Sequence, residues 1–407
     1  MYPRGILIIV WALLITTGGL GSSPVLAGDS DGDGVDDALD VCNNTPAGAA
    51  VDAEGRSLGD LDRDCDTDLP DYALFQRGSG DYALFNSGFT GPSAPSGMAM
   101  IPAGEFLMGD SFSEGISEER PVHAVYIDTF YIDSCEVTNQ QYADALNWGL
   151  GQGNLITVTG GVVYKYNSGT SCTYCSTTSA PTGNPHYGEW ARITWNGTTF
   201  GVTTGKENHP MVMMTWHGSA AYANWRSAMQ GRPPCYDLST WTCNFGSGYR
   251  LPTEAEWEKA ARGGKAGRRF PWSDTDTIEH ARANYYSTTS YAYDTSPTRG
   301  FHPTFNTGVY PYTSPVGYFA ANGYGLYDMA GNVWEWCNDW YSGTYYSTTP
   351  YPHVNPHGPT SGSYRVLRGG GWRASGPWDC RCVCRYAGEP GYYRFNDGGF
   401  RLALDSE

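Results

Sequence analysis

Apolar and polar positions alternate over Val125–Ile132, the period of a strand with one buried face. Thr253-Glu254-Ala255-Glu256 follows Pro252 and leads into Trp257, Ala260 and Ala261. The Thr and the Glu three residues later form the reciprocal cap of a helix start. Thr138-Asn139-Gln140-Gln141 reads the same way, and a third helix is expected from about Gly218 to Met229. Elsewhere Gly, Pro, Ser and Thr break the pattern every few residues, so turns are expected there.

Composition reinforces this picture. The chain has 407 residues with 53 Gly and 25 Pro, and only 16% are charged. Long amphipathic helices should be few. The 14 Trp and 30 Tyr suit a core built from loops, because each ring can bury its face while its N–H or O–H bonds to nearby backbone. The net charge of -17 is uneven: residues 29–71 hold 14 acidic and 2 basic side chains. No Lys/Arg stripe exists to neutralise phosphates, which argues against a nucleic-acid partner.

The organisation along the chain is expected to run in four parts. Residues 1–27 read as a secretory signal, with Arg4 in the positive region, an apolar run to Leu20 and cleavage after Ala27. Residues 28–90 are Asp- and Gly-rich, 91–97 form a linker, and 98–404 form the large domain. No later stretch is long and apolar enough to cross a membrane, so a secreted, extracytoplasmic protein is expected, in a compartment where disulfides persist.

Asp29, Asp31, Asp33, Asp37 and Asp40 stand at positions 1, 3, 5, 9 and 12 of a loop with Gly34 at position 6. Hard oxygen ligands at that spacing converge on one calcium ion, with the carbonyl of Val35 at position 7. Asp60, Asp62, Asp64, Asp68 and Asp71 repeat the spacing, with Asp66 at position 7. The first loop resembles a thrombospondin type 3 repeat. The second, with Asp71–Phe75 behind it, resembles half of a dockerin repeat. Asp81–Phe85 repeats that last stretch without the Asp ladder, which argues against a full cohesin-binding dockerin. Cys42 and Cys65 are the expected disulfide pair of this segment.

In the large domain, Met100–Gly109, Glu119–His123, Glu136–Tyr142, Arg250–Glu258, Asn322–Trp336, Arg368–Trp372 and Gly399–Ala403 follow in order. Together they resemble the formylglycine-generating enzyme, or sulfatase-modifying-factor, family. The resemblance implies an α/β (α+β) fold, poor in regular secondary structure and related to C-type lectins. Asp328 and Glu335 flank a Gly-containing turn and can surround a hard cation. The resemblance implies the same site, made of Asp328, the carbonyls of Gly331 and Val333, and Glu335. It implies a second calcium site beginning at Asn284 and Tyr285. Trp334 and Trp336 are expected in the core. Cys235 and Cys243 bracket a short excursion and are expected to close it as a disulfide. Cys172 and Cys175 have CxxC spacing without a second such pair, so a local disulfide or unrelated pairings are expected.

The family's oxidase converts a sulfatase cysteine to formylglycine with a copper(I) ion held by two thiolates. Soft thiolates select copper(I), which makes paired cysteines a physical requirement. The family places them three residues after a Gly-Gly-Ser triplet and five beyond that. Here the triplet is Gly369-Gly370-Gly371 and those positions hold Ala374 and Asp379. Cys382 matches a family cysteine in a structural disulfide, and Cys380 and Cys384 remain as candidates for an unorthodox metal pair. HExxH and GxxxxGK[ST] are absent. The expected function is therefore a secreted calcium-binding, non-oxidase member holding a peptide or glycan, with Tyr285–Tyr293 and Tyr341–Tyr351 as stacking loops. The alternative is an active formylglycine-generating oxidase, with copper as its cofactor.

Overall fold

A computed structural model describes residues 94–182, 188–348, 353–373 and 375–406. The two Asp ladders, Val35, Cys42, Cys65, the 71–85 repeat and Ala374 lie outside the described residues.

Short strands dominate. One sheet has the order β1 (Met98–Ile101), β4 (Phe130–Asp133), β17 (Ala403–Asp405), and so ties the first described strand to the last. A second runs β13 (His353–Val354), β3 (His123–Ile127), β2 (Gly104–Met108). A third runs β5 (Ile156–Thr159), β6 (Val162–Lys165), β7 (Thr173–Ser176). The fourth has the order β15 (Tyr386–Gly388), β14 (Arg365–Arg368), β12 (Trp334–Trp340), β16 (Gly398–Gly399). Two ribbons, β8 (Ile193–Trp195) with β9 (Phe200–Val202) and β10 (Tyr236–Asp237) with β11 (Thr242–Cys243), complete the set. The expected single strand at Val125–Ile132 is divided at Asp128-Thr129 between two sheets. Asp128 N donates to Asn355 Oδ1 and Thr129 Oγ1 accepts from Ala103 N at the turn, and the alternation of β3 gives way to the four buried residues of β4.

The helices are α1 (Asn139–Gly151), α2 (Trp216–Met229), α3 (Glu254–Ala261) and the short α4 (Tyr345–Thr348). Both expected capping boxes are formed. Thr138 Oγ1 accepts from Gln141 N at 3.2 Å while Gln141 Oε1 accepts from Thr138 N at 2.9 Å. At α3, Thr253 Oγ1 accepts from Glu256 N at 3.1 Å and Glu256 Oε2 accepts from Thr253 N at 2.7 Å. Helix α2 starts two residues ahead of expectation because Thr215 caps it, accepting from Gly218 N. Among the described residues no helix is long and apolar enough to cross a membrane.

Trp216, Trp225, Trp257, Trp336 and Trp372 are fully buried. The indole N–H of Trp216 donates to Cys337 O, that of Trp257 to Glu335 Oε2 and that of Trp372 to Asn396 O, each at 2.8 Å. These three rings thus serve as core and as ties between distant segments.

The interior is also highly ionic. All eight residues of α3 are buried, including three Glu and one Lys. Glu254 takes a bidentate pair of bonds from Arg385 at 2.6 and 2.8 Å. Glu256 takes a bidentate pair from Arg250 at 2.7 Å. Glu258 meets Arg262 at 2.7 Å and Arg368 at 2.5 Å. Lys259 Nζ donates to the carbonyls of Pro102 and Gly104. Further out, Arg381 is paired with Glu119 and Arg401 with Glu335. Removing one partner from such a pair leaves an uncompensated buried charge.

Candidate functional site

The Gly369–Gly371 turn leaves strand β14 and sets the path of the chain beyond it. Gly370 has φ 72°, and a Cβ there would lie 2.9 Å from the backbone of Asp379. Only glycine permits that approach. It presses the turn Pro377–Cys380 against the end of the fourth sheet. The same turn is closed by its own carboxylate, since Ser375 N and Oγ both donate to Asp379 Oδ2, at 2.8 and 3.1 Å. On the other side, the parallel register Trp334↔Gly398 places Asp397 beside Trp334, whose N–H donates to Asp397 O at 2.7 Å.

These segments enclose a cleft of about 290 Å³. Its walls are the rings of Trp334, Trp378, Tyr386, Tyr393 and Phe395. Its polar groups are Arg373, Ser375, Asp379 and Asp397. Tyr386 and Tyr393 face each other with hydroxyls 3.3 Å apart, and Trp334 packs beside Tyr386 at 5.4 Å between centroids. Burial pushes the Asp379 carboxyl up to about 6, and desolvation pushes Asp397, half-buried by its exposed surface, up to about 6.

Asp379 occupies the ungapped position of the family's second copper thiolate, and it is 3% exposed in the floor of this cleft. The nearby cysteines are thiols with no access to solvent. Cys380 packs in an apolar cluster with Phe270, Ile278, Ala283, Tyr285 and Ala330. Cys384 Sγ lies 4.0 Å from Asp379 Oδ1. Burial pushes Cys382 up to about 12 and holds Cys380 and Cys384 well above the ordinary thiol value. Arg368 clasps the carbonyls of Cys382, Val383 and Cys384 at 2.8–2.9 Å. A thiol in an apolar cluster and a thiol against a carboxylate do not make the facing soft pair that copper(I) selects.

The calcium residues of the large domain divide into two cases. Asn284 Nδ2 donates to Tyr312 O at 2.8 Å, and Tyr285 O meets His280 Nε2 at 3.1 Å. That pair is engaged in holding neighbouring segments. Around Asp328 the situation differs. Gly331, at φ 81°, approaches Asn284 so closely that a Cβ would lie 2.5 Å from its carbonyl oxygen. Asp328 Oδ2 accepts from Gly317 N, whereas Oδ1 and Glu136 Oε2 have no donor and the two carboxylates contact each other. Burial pushes Asp328 up to about 6 and Glu136 well above the ordinary value. Glu335, by contrast, is spent on Arg401 and Trp257. Two carboxylate oxygens without a donor, at Asp328 and Glu136, suit a hard cation there. Among the described residues no three His, Cys, Asp or Glu side chains are grouped as a metal centre.

The β10–β11 ribbon brings Cys235 and Cys243 together, as a closing pair requires, and both are thiols in this structure, as are Cys172 and Cys175. In the two expected stacking loops, Tyr285 turns inward and donates to Asp294 Oδ1, and Tyr346 is buried under Arg385, whereas Tyr286 stays exposed. Trp336 is core, whereas Trp334 also faces the cleft. The sequence reading missed Trp378, Tyr386, Tyr393, Phe395 and Asp397 altogether. The available signal was the density of rings on either side of the triplet and before Gly399.

Residues 89–406 match the family model described as "Sulfatase-modifying factor enzyme 1-like domain". The chain belongs to this family. Within it, the chain is 35% identical over 335 residues to the protein named formylglycine-generating enzyme of Streptomyces coelicolor, covering 78% of this chain and 91% of that one. It is 32% identical over 311 residues to a serine/threonine-protein kinase pkn1 of Chlamydia caviae, covering 75% of this chain but only 37% of that longer one. PvdO from Pseudomonas aeruginosa aligns in structure over 76% of this chain and 94% of its own, with 25% identity and a TM-score of 0.49.

Proposed function

We propose that this member of the sulfatase-modifying-factor family is a secreted, calcium-binding, non-oxidase protein whose lectin-like surface holds a peptide or glycan ligand. The observation that supports this most is Asp379, a buried carboxylate in the floor of the aromatic cleft where the family resemblance calls for a thiolate. A hard, anionic oxygen cannot replace a soft sulfur donor for copper(I). Family membership does not by itself entail oxidation, since the matching pkn1 protein carries the name of a kinase. The 35% identical Streptomyces relative favours the second reading, a formylglycine-generating oxidase acting on a sulfatase cysteine. Calcium is proposed at Asp328 with Glu136, and at the two Asp ladders of residues 29–71.

The test incubates the full chain with copper(I), oxygen and a peptide bearing the sulfatase motif. No change in peptide mass is expected. An aldehyde product that disappears in Cys380→Ala or Cys384→Ala would establish the second reading. For calcium, thermal unfolding of the wild type with and without EGTA is compared with Glu136→Gln. The wild type should lose stability on chelation and the variant should respond less. Equal responses would remove calcium from that site.

A further inference from the structure

Asp379 and Asp397 differ from the carboxylates that hold the ionic interior together. Among the described residues neither forms an ion pair with a basic side chain, whereas Glu119, Glu254, Glu256, Glu258 and Glu335 each meet a guanidinium. Arg373 acts on Asp397 from an exposed position, and Arg381 acts on Asp379 while its bidentate pair is with Glu119. Neither carboxylate therefore has a cation of its own.

The third glycine of the triplet makes room for this arrangement. A Cβ on Gly371 would lie 3.0 Å from Asp397 O, 3.1 Å from its Cβ and 3.4 Å from its Oδ2. A side chain there, such as the serine of the family triplet, would crowd Asp397. The loss of that side chain and the presence of the carboxylate are spatially matched. Above the two carboxylates stand five aromatic rings. Ring faces attract cations, and more strongly where water is excluded.

We infer that the cleft binds an organic cation: a primary ammonium or guanidinium head on an apolar stem, such as a Lys or Arg side chain of a peptide. The head sits at Asp379 and Asp397, and the stem lies along Trp334, Trp378 and Tyr386. This rests on the non-oxidase reading, because a cleft that processes a substrate thiol has no use for two unpaired carboxylates at its base. At about 290 Å³ the space suits one side chain or one sugar ring. An anion would meet like charge. A neutral sugar would leave the charge at the floor uncompensated.

The groups facing the two carboxylates are each other, Arg373, Arg381, Ser375, Cys384 and Tyr393. Of these only the two aspartates change charge between pH 5 and 7.5, so binding should strengthen as pH rises through about 6.

The experiment titrates the full chain with Nα-acetyl-lysine methylamide, its uncharged alkyl analogue Nα-acetyl-norleucine methylamide, which lacks the ammonium, and methyl α-glucoside. Tryptophan emission and calorimetry follow binding. The lysine derivative should saturate, and the alkyl analogue should bind at least about tenfold more weakly. Asp379→Asn and Asp397→Asn should each weaken the lysine derivative by about tenfold and flatten its pH dependence. Gly371→Ser, which keeps every charge, should also weaken it by narrowing the floor. Near-ultraviolet circular dichroism confirms that each variant is folded. Equal affinity for lysine and norleucine derivatives overturns the inference, as does preference for the glucoside or no saturable binding of any probe. Sugar binding would still leave the non-oxidase reading intact. Copper-dependent aldehyde formation would defeat that reading instead.

Discussion

Glu258 on α3 and Asp379 beneath the cleft are both nearly inaccessible carboxylates, yet only Glu258 is met by guanidinium groups. Burial alone would raise Glu256 and Glu258, but Arg250 beside the first, and Arg262 and Arg368 beside the second, outweigh it and hold both below the ordinary value. At Asp379 and Asp397 burial wins, and both rise to about 6. The difference follows the guanidinium groups that meet Glu256 and Glu258 and that neither aspartate has to itself. A paired buried ion organises its surroundings, whereas an unpaired one is a standing cost that selects for whatever compensates it.

The contrast is strained hardest at Glu258. Glu258→Ala leaves Arg262 and Arg368 buried without their shared carboxylate and should cost about 3–5 kcal/mol in urea unfolding. A loss within experimental error would mean that the network is not structural. Asp379→Asn should act in the opposite direction, raising stability at pH 7.5 on the order of 1–3 kcal/mol. A carboxyl with a raised native pKa binds its proton more tightly when folded. Wild-type stability should therefore increase as pH falls through about 6 towards the ordinary Asp value of 3.8. Glu256 and Glu258 work the other way, contributing stability that is present above their ordinary value of 4.5 and lost as pH falls below it. A thermal unfolding series across pH should thus pass through a maximum on the acid side of neutral. Asp328 and Asp339 are also raised by burial, so the share of the cleft is the part of that rise lost in Asp379→Asn, and an undiminished rise would contradict the unpaired state of the cleft.

Smaller effects sharpen the structural half. Trp257→Phe removes the indole donor to Glu335 but leaves Arg401 in place, so the cost should be about 1–2 kcal/mol in the same unfolding assay. Thr253→Ala removes one half of the α3 capping box and should cost about 1 kcal/mol. A cost at Thr253 as large as that at Glu258 would show that α3 is held by its cap rather than by its ion pairs.

What could be read from the sequence was local. The boxes at Thr138 and Thr253 need four consecutive residues and no tertiary information, and both are formed. The departure at Asp379 was legible because it sits at a fixed distance from the glycine triplet. The ion-pair network was not. Glu119 and Arg381, or Glu335 and Arg401, are far apart in sequence, and Glu254-Ala255-Glu256-Trp257-Glu258 has the composition of a solvent-facing helix. Asp397 reaches the cleft only through the parallel pairing of β12 with β16, which no local pattern announces. The rings at Tyr285 and Tyr346 misled for the same reason, since aromatic density marks a loop-built core as readily as a binding surface.

The central question is whether this cleft can hold a cuprous ion, and a competition titration of the full reduced chain with copper(I) and a chromogenic chelator measures that directly. We expect the chelator to keep the metal, with Cys380→Ser and Cys384→Ser indistinguishable from wild type. One copper(I) withdrawn per chain, and returned to the chelator by either substitution, would contradict it.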